Sequence, residues 1–461
     1  MLFSFARTQI YPAAQGVPKS ERLIAVVSLM LGVSMASLDT AIANTALPTM
    51  ASDLGTTESL SVWIVSAYQL AMAAGLLPFA GLGEVVGHRR VLMSGLICFT
   101  LASLMCGLSL SLEWLVVARV LQGLGGAALM SVNAAMVRFI FPSKQMGRGA
   151  GINALVVGIS FAAGPTIASM ILSVASWHWL FWVNVPTGLV AIFLGLRVLP
   201  ATPRSKQPFD HFAGILCSVF FALLIFTFNE AAHMQGWAYV GGLFVLTLLC
   251  LAWLLNRQAG MTAPVLAVDL LRRPMFALSA VTGMCAFATQ ALAFVSLPFM
   301  FQHVLGYSQI ETGFLITPWS VIVALAAPIA GRLSDRHSPG LLGGIGLAML
   351  GLGMVSMALM PAHPSVTDIV WRMLLCGAGF GFFQSPNIRA IMSSAPPERS
   401  GGASGMVGTV RLLGQSTGAA LVAACLHVST THGAVAALWL GALFAGLAST
   451  ASFMRMQYRA A

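Results

Sequence analysis

The sequence predicts an all-α polytopic membrane protein: two six-helix bundles plus two inserted helices, fourteen transmembrane helices in all. Three observations predict it. Of 461 residues, 58% are hydrophobic and only 8% charged, whereas a soluble domain needs roughly 25% charged residues to cover itself with a hydrated surface. Apolar runs of about 20 residues, each able to cross a bilayer core of about 30 Å as a helix, recur along the whole length. The Lys and Arg residues gather at alternate breaks between those runs.

Taken in order, the first 22 residues include Arg7, Lys19 and Arg22. The run that follows is of full spanning length, so no cleaved signal is expected. Apolar runs between polar breaks place six helices at about 23–47, 60–81, 91–110, 113–138, 150–173 and 179–199. Two more lie at about 212–229 and 238–255, and the last six at about 275–300, 312–330, 340–360, 368–391, 403–427 and 433–454. The expected organisation is therefore residues 1–200, an inserted pair over 201–260, and residues 261–461. A glycine-rich, charge-flanked loop after the second run (Gly83 to Arg90) returns after the tenth (Gly331 to Arg336), as duplication of a six-helix half would leave it.

The formal net charge of +10 could point to nucleic acid, but the placement of the charges argues otherwise. With the N-terminus in the cytoplasm, 20 of the 23 Lys and Arg residues fall in cytoplasmic tails, loops or adjoining helix ends. The remaining three, Arg119, Arg372 and Arg411, lie within helices. The basic excess is thus a topology signal: both termini inside, no nucleic-acid partner, the lipid bilayer as surroundings. The seven cysteines sit in apolar runs without a C-x-x-C pair, as small buried hydrophobes do.

Of 13 acidic residues, only Asp39 lies clearly inside a spanning run. An ionisable group there costs several kcal/mol unless it faces a wet cavity or a partner. Asp39 lies about 15 residues into the first run, roughly 23 Å from the cytoplasmic edge, and Arg119 lies roughly 8 Å below the outer edge. In a core about 30 Å thick these depths coincide. An ion pair that opens and closes would load and release a proton at Asp39. Gln122 sits one turn below Arg119, in a run whose Gly123, Gly125 and Gly126 permit close helix approach. Arg372 opens a comparable run in the twelfth helix, offset by one residue. Arg411 has no acidic partner legible in the sequence. Gly344-Ile-Gly346 lies in a spanning run without a Walker lysine, and the nine histidines have no metal spacing. No enzyme, cofactor or metal site is expected.

Leu38 to Pro48 reads L-D-T-A-I-A-N-T-A-L-P, and Arg119 to Ala127 reads R-V-L-Q-G-L-G-G-A. Gly158, with Gly164 and Pro165, falls in the fifth run. Trp177 to Gly188 (W-H-W-L-F-W-V-N-V-P-T-G), Phe383 to Asn387 (F-Q-S-P-N) and Ser400 to Met406 (S-G-G-A-S-G-M) follow. In this order and spacing, these runs resemble the major facilitator superfamily, and within it the fourteen-span drug/proton antiporter branch, over nearly the whole chain. There are departures. In the loop motif G-x-L-A-D-R-x-G-R-K, Ala80 stands for the first Gly, Glu84 for the Asp and Val85 for the Arg. Ala168 and Ser169 replace two glycines of the fifth-helix motif.

The resemblance implies proton-coupled efflux of drug-like, lipophilic or cationic small molecules across the bacterial inner membrane by alternating access, carried out by a monomer. The alternative is a proton-coupled carrier of a specific metabolite on the same fold. Asp39, Arg119 and Gln122 would couple the proton. Glu84, Gly87, Arg89, Arg90, Gly331, Asp335 and Arg336 would form the gating loops. Gly158, Gly164 and Pro165 would shape the kink, and Asn44, Arg372, Gln384, Asn387 and Arg411 are candidate polar groups of the cavity.

Overall fold

The computed structural model describes residues 15–56, 61, 63–205, 209–232, 236–261, 264–307, 309–429 and 432–457, and no strand occurs among them. The first six helices are α1 (Lys19–Asp53), α2 (Trp63–Val86), α3 (His88–Gly107), α4 (Leu112–Ile140), α5 (Met146–Val174) and α6 (Asn184–Val198), the last preceded by a helical turn over Trp179–Trp182. Then come α7 (His211–Ala232) and α8 (Trp237–Gln258). The last six are α9 (Pro274–Phe299), α10 (Gln309–Ser334), α11 (Pro339–Ala358), α12 (Val366–Ser394), α13 (Ser400–Val428) and α14 (Gly433–Met454).

Among the described residues 12 helices are long and apolar enough to cross a membrane, against the fourteen expected. The difference lies in α5 and α7. Each contains side chains outside the described set, and α7 contributes only the shorter apolar stretch His211–Thr227.

Helix starts repeat between the two sets. The Ser111 hydroxyl accepts from the Trp114 N–H at the head of α4 (3.3 Å), and the Ser365 hydroxyl accepts from the Asp368 N–H at the head of α12 (3.1 Å). Each satisfies one of the N–H groups a helix start leaves unpaired. Proline at the first turn opens α9 and α11, where its missing N–H costs nothing.

The packing scheme repeats as well. α2 packs on α4 as α10 does on α12; α3 packs on α4 as α11 does on α12; α1 packs on α5 and α6 as α9 does on α13 and α14. Small residues set the spacing. A Cβ on Gly123 would lie 2.5 Å from the Tyr68 carbonyl oxygen, and one on Gly377 would lie 2.5 Å from that of Trp319, so both helix crossings require backbone contact. Between the sets, α5 packs on α10 and α13 on α2.

α7 seats on both α2 and α13, with Leu77 of α2 and Leu413 of α13 packed among Ala213, Phe220 and Phe221 of α7. α8 packs outside it. At the head of α7, Asp210 accepts from the Ala213 N–H at 3.0 Å and from Arg257 Nε at 3.1 Å. The Ala213 bond and the Arg257 guanidinium hold its carboxyl below the usual carboxylate range.

Candidate functional site

Asp39, on α1, is buried and points to α4, where Arg119 is also fully buried. Arg119 Nη1 lies 2.5 Å from Asp39 Oδ2. Gln122 ties the pair together: it accepts from Arg119 Nη1 at 2.6 Å and donates to Asp39 Oδ1 at 2.8 Å and to the Ser103 hydroxyl at 2.9 Å. Asn184 donates to the same Asp39 oxygen at 3.5 Å. Arg119 Nε donates to the Ile64 carbonyl at 2.9 Å, and the Tyr68 ring lies 4.3 Å from the guanidinium carbon. These bonds offset the cost of desolvating two charges, although Arg119 Nη2 is buried without a hydrogen-bond partner among the described residues. Ser103, Asn184 and Tyr68 were not legible in the sequence as part of this cluster, because nothing there gives the face of the helix on which a side chain stands.

The pair lies one side chain behind the wall of a cavity of about 620 Å³ between the two helix sets. Tyr68, which stacks on Arg119, lines that space beside Ser37 and Thr40, and the opposite wall carries Phe287, Trp319 and Phe380. Gly158, Gln384 and Arg411 of the expected residues line this cavity. Gly158 also meets Val323 and Ala324 of α10 at the seam, and Gly164 is buried in α5. Asn387 lies instead in a smaller pocket of about 50 Å³ that shares Gln384 and Arg411 with the main one. There it accepts from Arg455 Nη1 at 2.7 Å and donates to the Ser279 carbonyl at 3.1 Å.

Arg372 does not line the cavity. It turns back to Asp368, four residues earlier on its own helix, at 3.1 Å, and also donates to the Ser356 carbonyl. An intrahelical partner already holds it, so it does not repeat the place of Arg119. Asn44 and Pro165 fall within α1 and α5, but their side chains lie outside the described residues.

Polar contacts join the two sets at one end, and they are matched. Glu84, at the end of α2, accepts from the Gly402 N–H at the start of α13 (2.7 Å). Asp335, after α10, accepts from the Gly147 N–H at the start of α5 (2.9 Å). Each carboxylate thus meets the positive end of a helix from the other set. A Cβ at Gly331 would lie 2.4 Å from the Gly147 carbonyl oxygen, so the seam closes backbone on backbone.

The arginines differ from expectation. Arg89 donates to the Leu196 carbonyl within its own set at 2.8 Å, and Arg90 and Arg336 are exposed. Arg399, not singled out from the sequence, bridges Glu84 (2.5 Å) and Asp269 (2.8 Å), and Arg389 reaches Asp335 at 3.5 Å. Gly87 has φ 101°, a conformation glycine adopts freely, and there the chain turns into α3. The Ala134 N–H to the Ser404 hydroxyl (3.1 Å) and Arg138 to the Met392 carbonyl (3.0 Å) complete the closure.

The sequence profile described as Major Facilitator Superfamily matches residues 29–419. The chain is 48% identical over 445 residues to the uncharacterized transporter YebQ of Escherichia coli, covering 96% of this chain and 97% of that protein. It is 30% identical to the riboflavin transporter RibZ of Clostridioides difficile, covering 89% of this chain and 90% of that one. With the multidrug resistance protein Stp of Mycobacterium tuberculosis it shares 31% identity, over 91% of this chain and 77% of that one. Among solved structures, the proton:xylose symporter XylE superposes with a TM-score of 0.68 at 16% identity, over 94% of this chain and 95% of that one, a likeness of fold. Profile, relatives and architecture agree that this multi-pass membrane protein belongs to the major facilitator superfamily of transporters.

Proposed function

We propose that this chain is a proton-coupled exporter of drug-like, lipophilic small molecules, working by alternating access as a monomer in the bacterial inner membrane. One observation carries the reading: a buried carboxylate–guanidinium pair set one side chain behind a cavity of about 620 Å³, a size that takes a drug-sized molecule. The chain would count fourteen spans, with α5 and α7 added to the twelve, and two six-helix bundles over 1–200 and 261–461 separated by the pair in 201–260. Arg89, Arg90, Lys144, Arg148, Arg332 and Arg336 cluster at the closed end, and this supports a cytoplasmic position for that end and for both termini. The cavity then faces outward.

In this reading a proton from the outer side adds to an Asp39 carboxylate oxygen, and the charge that binds Arg119 disappears. Arg119 keeps its bonds to Ile64 and Gln122, while α1 is freed from α4. The outer ends close and the bonds at Glu84 and Asp335 break. Asp39 releases its proton inward and re-forms the pair as the exporter returns loaded with substrate. Glu84, Asp335 and Arg399 act as the inner gate; Gly158, Gly164 and Pro165 let α5 bend along the seam.

The likeness to a protein named as a riboflavin transporter favours a second reading, a carrier of one specific metabolite using the same coupling pair. Proteoliposomes with an imposed pH gradient test both, using ethidium, Nile red and fluorescein as probes. Gradient-driven movement of at least one probe in wild type, abolished by Asp39→Asn, is the expected result. Equal movement in both removes Asp39 from coupling. No movement of any probe by well-folded protein favours the specific carrier.

A further inference from the structure

Among the described residues, the wall of the central cavity contains no carboxylate and one formal charge, that of Arg411 on α13. Asp39 is not part of that wall, and Arg119, Gln122 and Asn184 already satisfy its oxygens. Arg411 has no such partner: among the described residues none forms an ion pair or hydrogen bond with it. A guanidinium held between membrane helices calls for an opposite charge or water. A second unpaired donor belongs to a residue of the same wall. The indole Nε1 of Trp319 is buried without a hydrogen-bond partner, and Trp319 lines the cavity.

We infer that the substrate is an aromatic organic anion, its carboxylate or sulfonate taken by Arg411 and the Trp319 N–H. Resting on the reading that this cavity is the transport site, the inference replaces the expectation of a cationic substrate. Two donors without acceptors match a group that carries only acceptors. The aromatic body has its own walls. Phe287 and Phe380 meet edge to face at 5.5 Å between ring centroids, as do Phe294 and Trp319 at 5.2 Å, and all four line the cavity. Such rings accept a flat ligand face or edge. A cation in the same place would meet Arg411 with no carboxylate in the wall to offset the repulsion.

The test uses two ligands with one aromatic body and opposite charge, 2-naphthoate and 2-naphthylmethylammonium. Equilibrium binding to the full chain in nanodiscs is measured by titration calorimetry without a pH gradient. A failure of proton coupling therefore leaves this result untouched, and the reverse. Wild type is expected to bind 2-naphthoate at least about tenfold more tightly than the ammonium. Arg411→Gln is expected to lose about tenfold in naphthoate affinity and to erase the charge preference, while Arg411→Lys keeps the preference at lower affinity. Trp319→Phe is expected to weaken naphthoate about threefold. Equal affinity for the two ligands, no naphthoate binding by folded wild type, or naphthoate affinity unchanged in Arg411→Gln each overturns the proposal. Arg411→Lys, which keeps the charge, guards against an Arg411→Gln variant that misfolds.

Discussion

In α4, Arg119 turns inward to Asp39 and Gln122; in α12, Arg372 turns back along its own helix to Asp368. The surrounding backbone is laid out alike in both places, with Gly123 and Gly377 in the same tight crossings and the same serine at each helix head. The shift of 251 residues that carries Glu84 onto Asp335 carries Asp39 onto Gln290, a neutral amide in the cavity wall. Helix packing and the loop carboxylates are thus common to the two sets, and the buried Asp39–Arg119 pair is not. Close-packed crossings tolerate little change in volume, whereas a polar group inside the membrane is retained only where a partner or a task supports it.

The comparison predicts unequal damage. Arg119→Ala leaves Asp39 buried without its counter-charge and is expected to cost about 3–5 kcal/mol of stability, read as a large fall in the thermal unfolding midpoint in detergent. Gly331→Leu attacks the closed end instead. Its side chain cannot fit against the Gly147 carbonyl, so hydrogen–deuterium exchange across 143–151 is expected to rise at least about tenfold. The two carboxylate contacts should then separate. Glu84 holds both a helix N-terminus and Arg399, so Glu84→Gln is expected to cost about 1.5–3 kcal/mol of closure. Asp335 holds its helix end but a more distant arginine, so Asp335→Asn is expected to cost about 1 kcal/mol. Exchange in 397–405 against 143–151 reads that difference. Arg372→Ala, with a partly exposed partner four residues away, is expected to cost no more than about 0.5 kcal/mol. A midpoint drop equal to that of Arg119→Ala would undo the comparison.

Depth along a helix was legible in the sequence; facing direction was not. Counting residues from each membrane edge put Asp39 and Arg119 at one level, and the two side chains are in contact. The carboxylates of the two loops and the repeat between halves were equally visible. Arg399 was not, because its partner Glu84 lies 315 residues away and its own position is a short turn between α12 and α13. Aligning the heads of α5 and α13 would have drawn notice to it: a shift of 254 sets Arg399 on Gln145, and Ser400 on Met146. Arg455 read as a helix-end arginine in the cytoplasm, yet it is buried against Asn387, Ser279 and Ser452. No pattern in the chain marks that. The cavity wall was hidden for the same reason: Trp319 and Gln290 are ordinary apolar-helix residues until the helices are assembled.

Helix α7 leans on α2 and α13, one from each helix set, and its Ile225 forms part of the cavity wall. The two helix sets meet lengthwise along α2–α13 and along α5–α10. The first is plastered over from outside by α7 and α8; neither packs against α5 or α10. A solute dissolved among lipid tails therefore meets a lined wall on one flank. The other seam lacks that cover, so α7 and α8 give the molecule two unlike flanks in the plane of the membrane.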